Sequence, residues 1–334
     1  MPNINTKQLS SPSKIQSGSY KLTKKCFFYQ SKLFEAQVTE LFDDLWPTVT
    51  AIKNLRWQVN GYYHELNVKQ NDRLSARFVD SEDKTNRPNL YRTCIAQSWE
   101  SQEFSIARNL LTNIFALYEG WIEMILASLG VTRVRDKAKK FQFPNEARAT
   151  LVNMQQHPND DLVDALYDAY VAKNNKSRLI HLDNYLKVYR YFKECRNGII
   201  HRGGKTTRNL ISAYNSVRSL TLADLDVDEL PLMAVVTAVD QDIKLTLRSV
   251  VGFSQIVIKL VEVLDAEFIK ADNAVDCFIN QVKEFTPNPV SLPHDAHKAE
   301  KRIDGIMMRS GFLPPVHSDE FKRLLINKGI LKNM

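Results

Sequence analysis

The chain has 334 residues, of which 44% are hydrophobic and 25% are charged. This composition is that of a soluble globular protein and excludes a low-complexity chain. Glycine is sparse, at 11 residues, so turns are few and long helices are favoured. The formal net charge of +7 permits a polyanionic partner such as nucleic acid without requiring one.

Neither the amino terminus nor the most apolar segment predicts a membrane protein. Residues 1–25 are rich in Ser, Asn, Lys and Pro, lack the apolar core of a signal peptide and predict a disordered arm. The segment 249–264 is interrupted by Lys259 and Glu262, whereas a membrane span needs about 20 uninterrupted apolar residues. The four cysteines lack CxxC or zinc-ligand spacing, which indicates free thiols in a reducing compartment. We therefore expect a cytoplasmic protein that has no membrane partner, no metal site and no cofactor.

Residues 26–92 are predicted to form an N-terminal helical extension and a linker. Apolar residues recur three and four positions apart from Ser31 to Leu45, which predicts a helix that Pro47 ends or kinks. A second helical pattern continues to Leu66. The polar stretch that follows has no periodicity and predicts a long loop.

Residues 93–272 are predicted to form the main helical domain. The spacing of apolar residues predicts helices over 103–129, 161–173, 179–202, 209–219 and 248–270. The first of these helices ends at a C-cap glycine, Gly130, and the basic segment after it, 131–159, is predicted to be irregular. Alternating apolar residues on both sides of an Asp-Gln-Asp turn predict a small β-hairpin within residues 231–250.

Residues 273–334 are predicted to form a C-terminal helical tail. Prolines between residues 286 and 295 break the chain, and short helices are predicted over 296–309 and 318–327. The fold class that these elements predict is mainly α: a helical bundle with a small β-hairpin and additional helices at both termini.

The helix predicted over 179–202 ends in an unusual polar group, Arg-Asn-Gly-Ile-Ile-His, shortly before two glycines. Asn197 and His201 lie four positions apart and therefore share one face of the helix. Arg196 lies one step to the side, from which its long side chain can reach the same point. The helix end is thus predicted to gather a histidine, an amide and a guanidinium.

Further cations follow this group in the sequence. Arg202 is adjacent to His201, and Lys205 and Arg208 lie beyond the glycines. Their positive charge would favour a phosphate group at the helix end. The alternative is that Arg and His only offset the helix dipole at an ordinary solvated C-terminus.

These residue types together meet the requirements of metal-free RNA cleavage. Histidine exchanges protons near neutral pH, and arginine offers a planar fork of donors to phosphate. A base removes the proton of a ribose 2′-hydroxyl, the oxygen attacks the adjacent phosphorus, and a cation stabilises the crowded phosphorane. Because the 2′-hydroxyl is the nucleophile, this route needs no metal-activated water and does not cleave DNA.

The absence of several well-known motifs leaves some enzyme classes without support in the sequence. The chain lacks Walker, GxGxxG, GxSxG, HExxH and EF-hand motifs. Common NTPases, dinucleotide enzymes, zinc proteases and serine hydrolases therefore have no support in the sequence. The basic run over 133–140 could contact an RNA backbone or form a solvated loop.

The order Arg-Asn-x-x-x-His at the end of a bundle helix, followed by glycine, resembles the motif of the HEPN family (higher eukaryotes and prokaryotes nucleotide-binding). Arg196, Asn197 and His201 match that motif in order and spacing. The upstream stretch "FALYEGWIEMILASLG" looks like the first long helix of HEPN domains, and the resemblance covers about residues 95–270. An acidic residue of that helix can face the motif, which points to Glu119, with Glu123 as the alternative.

The resemblance implies a helical bundle that forms a two-fold homodimer with a shared cleft and acts as a metal-independent endoribonuclease on RNA. His201 would be the general acid/base, and Arg196 would stabilise the phosphorane. Asn197 would orient the phosphate or the imidazole, and Glu119 would position a partner group from the facing helix. Many HEPN proteins are toxins or phage-defence effectors, so an antitoxin or another defence-system protein is an expected partner. Other members are inactive, and the alternative function is a module that binds a nucleotide, RNA or protein.

Overall fold

A computed structural model describes residues 25–66, 71–78, 88–173 and 178–332. Of these residues 72% are helical, which confirms the mainly-α prediction. The β pairing within the described ranges consists of two isolated bridges, Lys205 with Asp242 and Val290 with Leu331. The disordered arm predicted for residues 1–25 lies outside the described residues, except for Lys25.

The described helices follow one another along the whole chain. They are α1 (Tyr29–Leu66), α2 (Asn71–Phe78), α3 (Trp99–Ser128), α4 (Val134–Lys140), α5 (Pro144–Met154), α6 (Asp160–Lys173), α7 (Leu182–His201), α8 (Arg208–Val217), α9 (Leu222–Leu225), α10 (Leu247–Phe268), α11 (Ala274–Phe285), α12 (Ala296–Arg309) and α13 (Asp319–Asn327). A π-helical turn, Tyr91–Ala96, precedes α3, and a 3-10 turn, Leu179–His181, precedes α7. The helices predicted between residues 103 and 270 are all present, and α11 is an additional helix that the sequence did not predict.

Pro47 does not end α1, which is one helix of 38 residues with the proline in its interior. Val38 before the proline and Val49 after it are both buried in the main core. Proline removes one backbone hydrogen bond from a helix. Because packing holds the helix on both sides of Pro47, the loss of that bond does not break it.

The stretch predicted as a long loop is partly helical. Its residues Asn71–Phe78 form α2, while 67–70 and 79–87 lie outside the described residues. A small second core joins this stretch to α1 and consists of Val59, Leu74, Leu90 and Cys94. Only a few side chains of this stretch are buried in the second core. Its sequence therefore shows no clear helical periodicity.

The segment 131–159 is helical rather than irregular. It forms α4 and α5, joined by a short turn, and both helices bury small or apolar side chains. Pro144 lies at the first position of α5, where its fixed φ and missing N–H suit the start of a helix. Helices of 7 and 11 residues carry too few apolar positions to be recognised among the surrounding lysines and arginines.

The segment predicted as a β-hairpin does not form strands that pair with each other. Its turn pairs instead with the loop that follows α7. The Thr206 amide donates to the Gln241 carbonyl, and the Ile243 amide donates to the Gly204 carbonyl, both at 2.8 Å. Backbone groups that a hairpin would pair internally are therefore satisfied by a different part of the chain.

Helices α3, α7 and α10 pack side by side at the centre of the core. Phe115 of α3, Tyr189 of α7 and Phe253 of α10 are fully buried, and their ring centroids lie 5.0 to 6.2 Å apart. The same core includes Phe27 from the predicted N-terminal extension and Ile303 from the predicted C-terminal tail. The buried packing therefore does not divide at residues 92 and 272, where the sequence suggested domain boundaries.

A buried polar network connects the start of α1 to the end of α10. The Asp265 carboxyl group accepts hydrogen bonds from the backbone N–H groups of Phe27 and Phe28, at 2.5 and 3.1 Å. Lys32 is 2% exposed and donates to the Gly311 carbonyl at 2.6 Å. Burial raises the pKa of Asp265 to about 7 and lowers the pKa of Lys32 to about 8. Desolvation thus disfavours the charged form of both groups.

Helix α3 is, within the described ranges, the one helix whose length and composition would suffice to cross a bilayer. Half of its most apolar window is buried inside the protein. The inward side chains Ile114, Trp121 and Ile125 are completely buried in the core. In this fold α3 therefore has the packing of a core helix.

Candidate functional site at the end of α7

The carboxyl end of α7 closely approaches the loop that returns over it. Gly198 is buried and faces both Ile243 and the Lys205 carbonyl. A Cβ atom at residue 198 would lie 2.5 Å from the Ile243 side chain and 2.8 Å from the Lys205 carbonyl oxygen. Only glycine therefore lets this loop pack directly on the helix.

Two glycines reverse the chain directly after α7. Gly203 and Gly204 have φ angles of 61° and 83°, which L residues rarely adopt. The Gly204 amide donates to the Gly198 carbonyl at 3.0 Å and closes the helix end. The chain then enters α8, whose first residue Arg208 follows the N-cap Thr207. The end of α7 and the start of α8 are thereby brought together.

An open pocket of about 880 Å³ lies between the end of α7, the start of α8 and the segment before α10. Its wall contains five of the seven residues predicted from the sequence: Asn197, His201, Arg202, Lys205 and Arg208. The first turn of α8 also contributes, and the N-terminus of a helix favours an anion. The pocket therefore combines an imidazole, an amide, three cations and a helix N-terminus.

The polar groups of the pocket differ in their access to a ligand. His201, Arg202 and Arg208 are exposed, whereas Asn197 is half-buried. Lys205 forms an ion pair with Asp242 at 2.6 Å. This pair lies at the surface, so solvent weakens it and a phosphate could displace the carboxylate. The pocket is therefore accessible to a large, charged ligand.

Arg196 does not line the pocket. His201 lies five positions after Arg196, which corresponds to about 140° around the helix axis. The Arg196 Nη1 lies 3.5 Å from the Asn197 Oδ1, and its Nε is buried without a hydrogen-bond partner among the described residues. Within one chain the guanidinium therefore contacts the Asn197 amide and not the part of the pocket wall that His201 forms.

Glu119 of α3 also lies outside the pocket. Its carboxylate pairs with Lys193 of α7 at 3.6 Å, and Lys193 also donates to Gln142. Burial lowers the pKa of Lys193, and the negative charge of Glu119 opposes this shift. Glu119 therefore stabilises the charged form of Lys193 on the side of α7 that carries Arg196, and it does not face His201.

One pocket residue that the sequence reasoning missed is Glu194, which is only 5% exposed. Its carboxylate pairs with Arg190 at 2.7 Å. The sequence could have predicted its position, because polar residues recur three and four positions apart along one face of α7. They are Arg190, Glu194, Asn197 and His201. The negative charge of Glu194 is balanced by Arg190, so it does not neutralise the exposed cations Arg202 and Arg208.

The basic run over 133–140 lies elsewhere in the protein. It forms α4, which buries Ala138, and none of its residues lines the pocket. The turn after α4 contacts α7, since the Phe143 ring lies 4.8 Å from the Arg190 guanidinium. This run is therefore a helix that buries Ala138 and lies outside the pocket.

We expect Gly198→Ala to displace the loop that forms the pocket. The new methyl group would collide with Ile243 and with a backbone carbonyl, which should lower the free energy of unfolding by about 1–3 kcal/mol. The melting temperature measures this loss. Gly61→Ala in α1 is the matched control: nothing lies within 4 Å of its Cβ position, so alanine should be neutral or stabilising there. Equal melting temperatures for the two variants would contradict the close packing at Gly198.

No protein-family model, curated protein or solved structure matches this chain. Among the described residues, no group of three His, Cys, Asp or Glu side chains is arranged to hold a metal ion. The function is therefore inferred from the geometry and chemistry of the pocket.

Proposed function

We propose that the protein is an endoribonuclease that cleaves RNA by attack of a ribose 2′-hydroxyl on the adjacent phosphate. The observation that carries this proposal is the pocket at the end of α7, which holds His201 and Asn197 beside three cations. The reaction needs a group that transfers protons and fixed positive charge where the phosphorane forms. The mainly-α fold and the Arg-Asn-x-x-x-His order further support a HEPN-like enzyme.

In this mechanism the exposed His201 is the general acid/base. It removes the proton of the 2′-hydroxyl or delivers a proton to the leaving 5′-oxygen. Asn197 donates from its amide to a phosphate oxygen, which fixes the orientation of the phosphate. Arg202 and Arg208 take the charge-stabilising role that the sequence suggested for Arg196, because they line the pocket and Arg196 does not.

We further propose that two chains form the two-fold homodimer that the HEPN resemblance implies. Arg196 and Ile200 lie four positions apart and share a face of α7. Ile200 is 45% exposed. A second copy on this face would bury this apolar side chain. The molar mass of the protein in solution tests this proposal.

The test of the nuclease is cleavage of a single-stranded RNA by the purified protein in EDTA. We expect products that end in 2′,3′-cyclic phosphates. The same strand with a 2′-deoxyribose at the cut site should stay intact, since it lacks the nucleophile. Cleavage that requires a divalent metal ion, or cleavage of DNA at a similar rate, would contradict this mechanism.

A second function is supported by the placement of Arg196 and Glu119 outside the pocket. Three cations and a helix N-terminus are sufficient to bind a nucleotide or an RNA phosphate without cutting it. The protein would then be an inactive HEPN-like module that binds a nucleotide, RNA or a protein partner. Saturable RNA binding without any product in the same assay would favour this alternative.

The cellular role that follows from the nuclease proposal is that of a cytoplasmic toxin or phage-defence effector. An antitoxin or another defence-system protein would then restrain it. Expression in a bacterial host should arrest growth, and His201→Ala should relieve the arrest. Unimpaired growth with the unaltered protein would leave the toxin role without support.

A further inference from the structure

Helix α12 presents a row of cations to solvent, far along the chain from the pocket. We call this surface the α12 stripe, and it consists of Lys298, Lys301, Arg302, Gly305, Met308 and Arg309. These positions recur at three- and four-residue intervals and therefore share one face. The opposite face of α12 is buried, with Ile303, Ile306 and Met307 completely enclosed in the core. The packing of α12 thus holds the α12 stripe outward.

The α12 stripe is uniformly positive. Its four cations lie between residues 298 and 309, about 16 Å of helix at 1.5 Å per residue. None of them forms an ion pair within the described ranges. The acidic residues within α12 lie at its flank, where Glu300 is half-buried and Asp304 lies 3.0 Å from His317. Asp295, at the start of the helix, accepts a hydrogen bond from the Lys298 backbone N–H at 2.8 Å and caps α12. The charge of the α12 stripe is therefore not neutralised by the protein itself.

A shallow pocket of about 390 Å³ opens at the middle of the α12 stripe. Three cations line it, Lys301, Arg302 and Arg309, together with Met308 and Gly305. No atom lies within 4 Å of the position that a Cβ atom would take at Gly305. The absent side chain leaves open space between the cations, which suits a phosphate group.

We propose that the α12 stripe binds the phosphate backbone of single-stranded RNA. A row of cations along one helix face matches a chain of phosphates better than it matches a single small anion. The choice of RNA among the polyanions rests on the proposed nuclease function. An anionic membrane fits less well, because an interfacial helix needs large apolar residues beside its cations and Met308 is the one apolar side chain of the α12 stripe.

The α12 stripe and the α7 pocket lie toward opposite ends of α10. The pocket contains Val239 and Asp240, which precede α10, whereas the chain after α12 contacts Lys32 beside the network at the end of α10. With 22 residues, α10 is about 33 Å long at 1.5 Å per residue. The α12 stripe therefore anchors RNA at a distance from the chemistry, so its loss should raise KM and leave kcat unchanged.

The test uses a fluorescein-labelled single-stranded 2′-O-methyl RNA, which cannot be cut by 2′-hydroxyl attack, and follows its anisotropy at several salt concentrations. We expect Lys301→Gln/Arg302→Gln to weaken binding about tenfold at low salt. The slope of log affinity against log salt should fall in magnitude by about 1.4, or about 0.7 for each lost phosphate contact. Gly305→Glu should weaken binding similarly, since it places a carboxylate in the shallow pocket while glutamate favours the helix more than glycine.

Arg73→Gln/Arg92→Gln is the matched control, because it removes the same charge from exposed positions in and near α2. Its affinity should equal that of the unaltered protein. Equal losses in the two double variants, or no loss in the α12 variants, would overturn the inference. Binding to phosphatidylserine vesicles that depends on the α12 stripe, with RNA binding unaffected, would also overturn it.

The outcome is independent of whether the protein cuts RNA, because the probe cannot be cleaved. Binding that depends on the α12 stripe, in a protein that cleaves nothing, would reject the nuclease and support the α12 inference. Active cleavage whose KM is unchanged in Lys301→Gln/Arg302→Gln would support the nuclease and reject the α12 inference.

Discussion

His201→Ala is expected to reduce RNA cleavage by about 10²–10⁴-fold, the usual contribution of a positioned proton-transfer group. The effect should appear in kcat, because the cations that bind the phosphate remain in place. His201 is exposed at the end of α7, so its replacement should leave the melting temperature unchanged. Initial rates on a labelled RNA in EDTA measure the loss.

His64→Ala is the matched control for this variant, since His64 is an exposed histidine on α1. It should cleave RNA at the rate of the unaltered protein. Asn197→Ala should give a smaller loss than His201→Ala, because it removes orientation of the phosphate but leaves the proton-transfer group. Full activity in His201→Ala would show that this histidine is not the acid/base and would end the proposed mechanism.

The second large effect is expected at Asp265, in the network between α1 and α10. Asp265→Leu should lower the free energy of unfolding by about 3–5 kcal/mol. The substitution removes the acceptor of two backbone N–H groups, those of Phe27 and Phe28. It also leaves the buried Lys32 with Glu35 as its remaining nearby carboxyl group. Urea denaturation followed by circular dichroism measures the change. Asp43→Leu, at an exposed position of α1, should cost little, and a similar cost at both sites would contradict a structural role for Asp265.

The pH dependence of stability at Asp265 has a definite sign. Its pKa is about 7 in the folded protein, compared with about 3.9 for an aspartate in an unfolded chain. Between these values the folded protein holds a proton that the unfolded chain has lost, so the free energy of unfolding falls as the pH rises from about 4 to about 7. Asp265→Asn keeps an acceptor but does not titrate, so the free energy of unfolding of the unaltered protein should fall relative to that of the variant over this range. Parallel stability curves would contradict this assignment.

The candidate site shows how far spacing along one helix predicts a constellation of side chains. Asn197 and His201 line one pocket because four residues make about one helical turn. Arg196 lies to the side and reaches only as far as Asn197. Glu119 pairs with Lys193 and not with a residue of the predicted motif. The rotation of α3 relative to α7 decides which residue of α7 Glu119 meets. Residue spacing within one helix carries no information about that rotation.

The sequence by itself determined the mainly-α class, the long helices of the core and the polar end of α7. These features follow from local properties: the three- and four-residue spacing of apolar side chains and the glycines that end a helix. Only the tertiary structure shows that the segment before α10 pairs with the loop after α7. Only the tertiary structure shows that this contact requires the absence of a side chain at Gly198. It also decided that both chain ends share one core with α3, α7 and α10. Such contacts join residues far apart in the chain, and each depends on the shape of the surface it meets, so they leave no periodic pattern in the sequence.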